Sequence, residues 1–112
     1  MTHLYDSHDL RHLQDLRAPA PQVLEAFAAF DAAALHREDA RIPSKYRELI
    51  ALGVPLTTPC VFCIEAHTKA AKKAGADQTE PAEAVGIAMA LRAGGSLTQG
   101  AEAAKVFSGD ES

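Results

Sequence analysis

Cys60 and Cys63 are the two cysteines of this 112-residue chain, in the stretch TTPCVFCIEAH, with His67 four residues beyond the second. Residues three or four apart on a helix share a face, with about 5–6 Å between Cβ atoms. A disulfide prefers about 3.5–4.5 Å between those atoms, so a modest adjustment at a helix start lets the pair cycle between dithiol and disulfide. Thr58 suits an N-cap and Pro59 the first helical position. That places both thiols where free backbone N–H groups and the helix dipole stabilise a thiolate, the nucleophilic form. His67 falls on the face of Cys63, placed to accept its proton or, once charged, to hold the thiolate.

A carboxylate that orients His67 or relays the proton completes a base system of the kind that activates nucleophiles. Glu65 is offset by two from both Cys63 and His67 and is expected to be solvated. Glu48, midway along the preceding helix among Tyr46, Leu49 and Ile50, faces the cysteines if that helix packs antiparallel or crosswise on theirs. Spacing alone does not single it out, and it suits an ion pair with Lys45 or Arg47 equally well.

Other chemistry fits the same residues. Two buried small hydrophobes are the bland alternative. Cys60, Cys63 and His67 supply three zinc ligands, and a structural zinc site needs a fourth, which an oligomer partner can add. A c-type haem needs histidine directly after the second cysteine, where Ile64 stands. His8 and His12 share a helical face at metal-competent spacing and read more simply as a solvated pair.

The rest of the chain must position these groups, and its hydrophobic spacing is helical throughout, with no convincing strand alternation. A first helix is predicted over about Ser7 to Arg17, with Leu10, Leu13 and Leu16 in one stripe. A second follows Pro21, with Val23, Leu24, Phe27, Phe30 and Ala34 on its apolar face. Pro43 suits the first turn of a third, which Gly53 and Pro55 end or kink. The fourth opens at TTPC and closes with Gly75 as its C′ residue. Thr79 is expected to cap a fifth, with Glu80 and Glu83 near its positive end. Val85, Ile87, Met89 and Leu91 place that helix in the core or in a subunit interface. Gly94-Gly95 ends it, and Ser96 with Gln99 forms a capping box for a sixth. Phe27, Phe30, Met89 and Phe107 read as core residues.

The expectation is therefore one all-α domain over residues 1–112, a compact bundle of about six helices. A domain of this size buries roughly two thirds of its unfolded surface, so oligomerisation is a natural supplement. A net charge of −4 gives no electrostatic footprint for nucleic acid. The N-terminal MTHLYDSHDL lacks an apolar core, and no apolar run approaches the roughly 20 residues that span a bilayer. A soluble cytoplasmic protein follows as the expectation. In that reducing compartment a close cysteine pair is redox-active or metal-binding more often than structural.

The segment RELIALGVPLTTPCVFCIEAHTKAAKKAGA, with the later AMALRAGGS, resembles the AhpD-like branch of the carboxymuconolactone decarboxylase family over about residues 42–95. The signature is a glutamate twelve residues before C-x-x-C, followed by x-x-x-H, and Glu48, Cys60, Cys63 and His67 fit it. The resemblance implies an all-α fold assembling into homo-trimers or homo-hexamers, and thiol-dependent reduction of hydroperoxides. It implies that Cys63 attacks the peroxide and becomes a sulfenic acid, that Cys60 condenses with it, and that Glu48 and His67 relay the proton. No bound cofactor is implied. A hydroperoxide or disulfide would be the substrate, and a dithiol, thioredoxin-like or lipoyl partner the reductant. Decarboxylases of the wider family lack the cysteine pair, which argues against lactone decarboxylation here. The best-known AhpD members carry a histidine where Phe62 stands, so slower peroxidase turnover is expected. A redox sensor with little turnover, and a cysteine-independent decarboxylase, are the alternatives.

Overall fold

A computed structural model describes residues 2–112, the side chain of Ser7 excepted. It contains five α-helices: α1 (Leu13–Arg17), α2 (Pro21–Leu35), α3 (Ser44–Gly53), α4 (Val61–Lys73) and α5 (Thr79–Ser108). A 3-10 segment, Ser7–His12, precedes α1. There is no strand among the described residues.

Two expectations about the elements are corrected. The predicted first helix divides into the 3-10 segment and the short α1. The predicted fifth and sixth helices are a single α5 of 30 residues, because Gly94-Gly95 does not interrupt it. Glycine costs a helix interior about 1 kcal/mol relative to alanine, which the Ala-, Leu- and Glu-containing flanks can absorb. A glycine ends a helix where it turns left-handed and closes the last carbonyls. Gly75 (φ 104°) and Gly109 (φ 77°) are the glycines that adopt such a conformation.

At Gly75 the expected C′ role holds. The Gly75 N–H donates to the Lys72 carbonyl (3.1 Å) and the Ala76 N–H to the Ala71 carbonyl (2.9 Å), closing α4. A Cβ there meets nothing within 4 Å, so a substitution is penalised by backbone conformation alone. Gly75→Ala is expected to lower stability by about 1–2 kcal/mol. For a domain of this size that is several degrees in Tm, checked by thermal denaturation followed by circular dichroism.

The start of α5 is capped two residues earlier than expected. The Asp77 carboxylate accepts from the backbone N–H groups of Thr79 (2.9 Å) and Glu80 (3.1 Å), while Glu80 Oε1 accepts from Asp77 N–H (3.1 Å). This is a reciprocal capping box, and it leaves Thr79 inside the helix. The other oxygen of Glu80 meets Lys45 Nζ at 2.9 Å. That hydrogen bond holds the Glu80 carboxyl below its ordinary range and the Lys45 ammonium above its own. The start of α5 is thereby tied to the start of α3.

The principal packing is α3 on α4, followed by α3 on α5, while α1 packs on α2. Helix α2 has no extensive contact with α3, α4 or α5. Its link to the rest runs through Arg47, whose guanidinium donates to the Leu35 carbonyl and to the Ile42 carbonyl (2.9 Å). The expectation of a compact bundle is corrected accordingly. The radius of gyration is 18.8 Å, against roughly 13 Å for a compact domain of this length. Leu52 and Ala71 form the buried hydrophobic core, and Phe27, Phe30, Met89 and Phe107 are exposed rather than buried. The expected apolar faces exist, but within one chain most of the side chains on α2 and α5 stay exposed.

Candidate functional site

The site is built where α3 lies against α4. Thr57 and Thr58 do not open α4. Their hydroxyls donate to the Val54 carbonyl (2.7 and 3.2 Å), and their amides turn to the same oxygen. Both threonines thus extend the exit from α3, so the expected N-cap at Thr58 and helical Pro59 are corrected. The cap is Cys60 itself, in extended conformation (φ −129°, ψ 99°). Its sulfur accepts from the Cys63 backbone N–H at 3.4 Å, and its carbonyl accepts from Ile64 N–H at 3.0 Å. Cys60 therefore lies just outside the helix and Cys63 in its first turn, where backbone N–H groups have no intrahelical partner.

Cys60 and Cys63 are joined as a disulfide, with their Cα atoms 5.3 Å apart. Both are half-buried, so solvent still reaches them. One turn further along α4, His67 Nδ1 lies 2.7 Å from Glu48 Oε2. Glu48 is the buried charged residue among the described residues, 6% exposed, and His67 meets it there. An ionised carboxylate only accepts hydrogen bonds, so against it the ring carries its proton on Nδ1 and leaves Nε2 as an acceptor. This is the arrangement by which a carboxylate sets the tautomer and orientation of a histidine base.

The competing carboxylate, Glu65, pairs with Lys69 at 2.7 Å across one helical turn and faces away. Lys45 and Arg47, the other partners considered for Glu48, are occupied by Glu80 and by backbone carbonyls. His8 and His12 are both exposed, as the solvated reading expects. Each meets a different exposed carboxylate, Asp6 at 2.9 Å and Asp15 at 3.0 Å. Among the described residues no three His, Cys, Asp or Glu side chains converge as a metal-binding group. No helix of the described residues is long and apolar enough to cross a membrane.

Two features of the site had no signal in the sequence. Arg92, on α5, donates from Nη1 to the Thr57 carbonyl at 3.1 Å, bracing the turn that presents Cys60 from 35 residues away. Tyr5 lies with its ring centroid 6.3 Å from that of Phe62, the residue between α4's first position and Cys63. Neither contact follows from helical spacing, because both cross between separate elements.

An all-helical chain with a C-x-x-C pair at a helix start and a buried glutamate–histidine pair one turn away defines a class of dithiol protein. The chain matches the model of the carboxymuconolactone decarboxylase family over residues 21–106. It belongs to that family, and the match extends well beyond residues 42–95 on both sides. It is 34% identical over 69 residues to "Uncharacterized protein 4 in cox locus" of Paracoccus denitrificans, covering 62% of each chain. It is 40% identical over 67 residues to an "Uncharacterized protein" of Haemophilus influenzae, covering 60% of this chain and 58% of that one. The chain thus spans about three fifths of the relatives it matches.

Proposed function

We propose that this protein is an AhpD-type thiol peroxidase, reducing hydroperoxides through a Cys60–Cys63 dithiol/disulfide cycle. The observation that carries the reading is the 2.7 Å Glu48–His67 pair, placed one helical turn beyond Cys63. In the reduced protein His67 Nε2 takes the Cys63 thiol proton while Glu48 holds the Nδ1 proton and balances the imidazolium charge. The Cys63 thiolate attacks one oxygen of the hydroperoxide. The S–O bond forms, the O–O bond breaks, and the departing alkoxide takes the proton from His67 to leave as an alcohol. Cys60 sulfur then attacks Cys63 sulfur, and the S–S bond replaces the S–O bond with release of water. An external dithiol reduces the disulfide by exchange, entering at the cap residue Cys60, and is itself left oxidised.

The direct test is the intact mass of reduced protein before and after one equivalent of an organic hydroperoxide. Loss of two hydrogens within seconds is expected. An unchanged mass after many minutes would leave disulfide exchange without peroxide turnover as the better account.

The functional unit is proposed to be a homo-oligomer, a trimer or hexamer. Leu52, Pro55 and Ala71, the buried apolar residues among those described, are far too few for a domain of 112 residues, and α2 and α5 present Val23, Phe27, Phe30, Ile87 and Leu91 to solvent. Light scattering on the protein at micromolar concentration is expected to give a multiple of 11.9 kDa. A monomeric mass would refute the assembly.

A further inference from the structure

Cys60 stands outside α4 in extended conformation, so its place is set by the turn from Val54 to Pro59 rather than by the helix. Nearly all the hydrogen bonds of that turn are local. The Val54 carbonyl accepts from the amides and hydroxyls of Thr57 and Thr58, and the Pro55 carbonyl accepts from Cys60 N–H at 3.2 Å. Pro59, immediately before the cysteine, has no N–H to add. The Thr57 carbonyl is the exception. Among the described residues no backbone N–H meets it, and Arg92 Nη1, on α5, donates to it at 3.1 Å.

Packing does not duplicate this bond. A cavity of about 370 Å³ opens between the two elements, lined by Leu56 and Thr57 from the turn and by Val85, Ala88, Met89 and Arg92 from α5. The turn and α5 therefore meet around a gap, and the guanidinium reaches across it. The local bonds fix the shape of the turn, but the Arg92 bond fixes where the turn lies on the rest of the fold.

We infer that Arg92 is a positioning residue for Cys60, holding the turn so that its sulfur stays within reach of Cys63 once the disulfide is open. The disulfide by itself keeps the two Cα atoms 5.3 Å apart. The dithiol has no such bond, and there the restraints on the turn keep Cys60 close. Removing one of them frees the dithiol more than the disulfide, which shifts the equilibrium toward the dithiol. It also slows closure, in which Cys60 sulfur attacks the Cys63 sulfenic acid. The S–S bond forms, the S–O bond breaks, and the Cys60 proton leaves with the oxygen as water. A reacting group held less often in attack geometry reacts more slowly. The closure step rests on the peroxidase reading, whereas the equilibrium does not.

The test compares full-length wild type, Arg92→Met and Arg92→Lys. Methionine keeps an apolar chain along the cavity and has no donor, while lysine keeps a cationic N–H donor. Each protein is equilibrated with mixtures of reduced and oxidised dithiothreitol, and the thiols are then alkylated and counted by mass. Arg92→Met is expected to shift the equilibrium about fivefold toward the dithiol, the size of one net hydrogen bond. At roughly 30 mV per tenfold, that raises the reduction potential by about 20 mV. With cumene hydroperoxide, reduced Arg92→Met should disappear at the wild-type rate, while closure slows by a similar factor and the sulfenic acid accumulates. Arg92→Lys should recover most of both effects. If equilibrium and closure are unchanged in Arg92→Met, the inference is overturned even where Tm falls, because Arg92 is then a structural contact alone. Equal slowing of Cys63 oxidation and closure, with the equilibrium unmoved, overturns it too. A shifted equilibrium in protein that no hydroperoxide oxidises keeps the role of Arg92 and overturns the peroxidase reading alone.

Discussion

Cys63→Ser is expected to abolish peroxide consumption and sulfenic acid formation, whereas Cys60→Ser should accept one oxygen on Cys63 and stop there. Removing a covalent nucleophile costs a thousandfold or more, so the two variants separate far outside experimental scatter. The asymmetry comes from position. Cys63 lies in the first turn of α4, one turn from His67, whereas Cys60 is the cap residue outside the helix, its sulfur against the Cys63 N–H at 3.4 Å. A proton leaving Cys63 has a base on the same helical face, and the resulting thiolate sits at the N-terminal end of α4, where the helix dipole favours negative charge. Cys60 has no such base on its face, and its exit from the helix leaves it the sulfur open to an incoming reductant. Mass spectrometry with a sulfenic acid trap checks the assignment. An oxygen trapped in Cys63→Ser and absent from Cys60→Ser would reverse the two roles.

Glu48→Gln is expected to slow Cys63 oxidation about a hundredfold, within the range that a positioned acid–base group contributes. The amide keeps the size of the side chain and an oxygen for the His67 Nδ1 proton, so α3 and α4 should pack as before. What is lost is the negative charge that balances the imidazolium as the thiolate forms. The same variant should alkylate more slowly with iodoacetamide at neutral pH, a readout that needs no peroxide. Far-UV circular dichroism and Tm separate this from a packing defect. If oxidation and alkylation keep their wild-type rates, Glu48 is a structural partner of His67 and no more.

The local placement of the cysteines and the histidine was legible because it depends on short separations. Cys63 and His67 share a face by helical period, and Cys60 reaches Cys63 from the cap position just outside α4. Gly75 was legible as a terminus because a left-handed residue at that point has few alternatives to glycine. Glu48 was legible only through family resemblance, since its partner is 19 residues away on another helix. Gly94-Gly95 misled because glycine weakens a helix without ending it, and no left-handed turn forms there. Thr58 misled because its hydroxyl had two helix ends within reach, and the exit from α3 took it.

Spacing along one chain segment determined that the protein is helical, that its two cysteines can pair, and that a histidine shares the face of the second. Those are consequences of backbone geometry, which any segment with this pattern obeys. Tertiary structure decided which carboxylate meets His67, because a 2.7 Å contact between α3 and α4 depends on how two helices cross. It decided that Arg92 braces the cysteine turn and that Tyr5 lies on Phe62, contacts spanning 35 and 57 residues. It also decided that most of the apolar faces find no partner within one chain. Periodicity marks a face as apolar, but only the packing of whole elements determines what covers it.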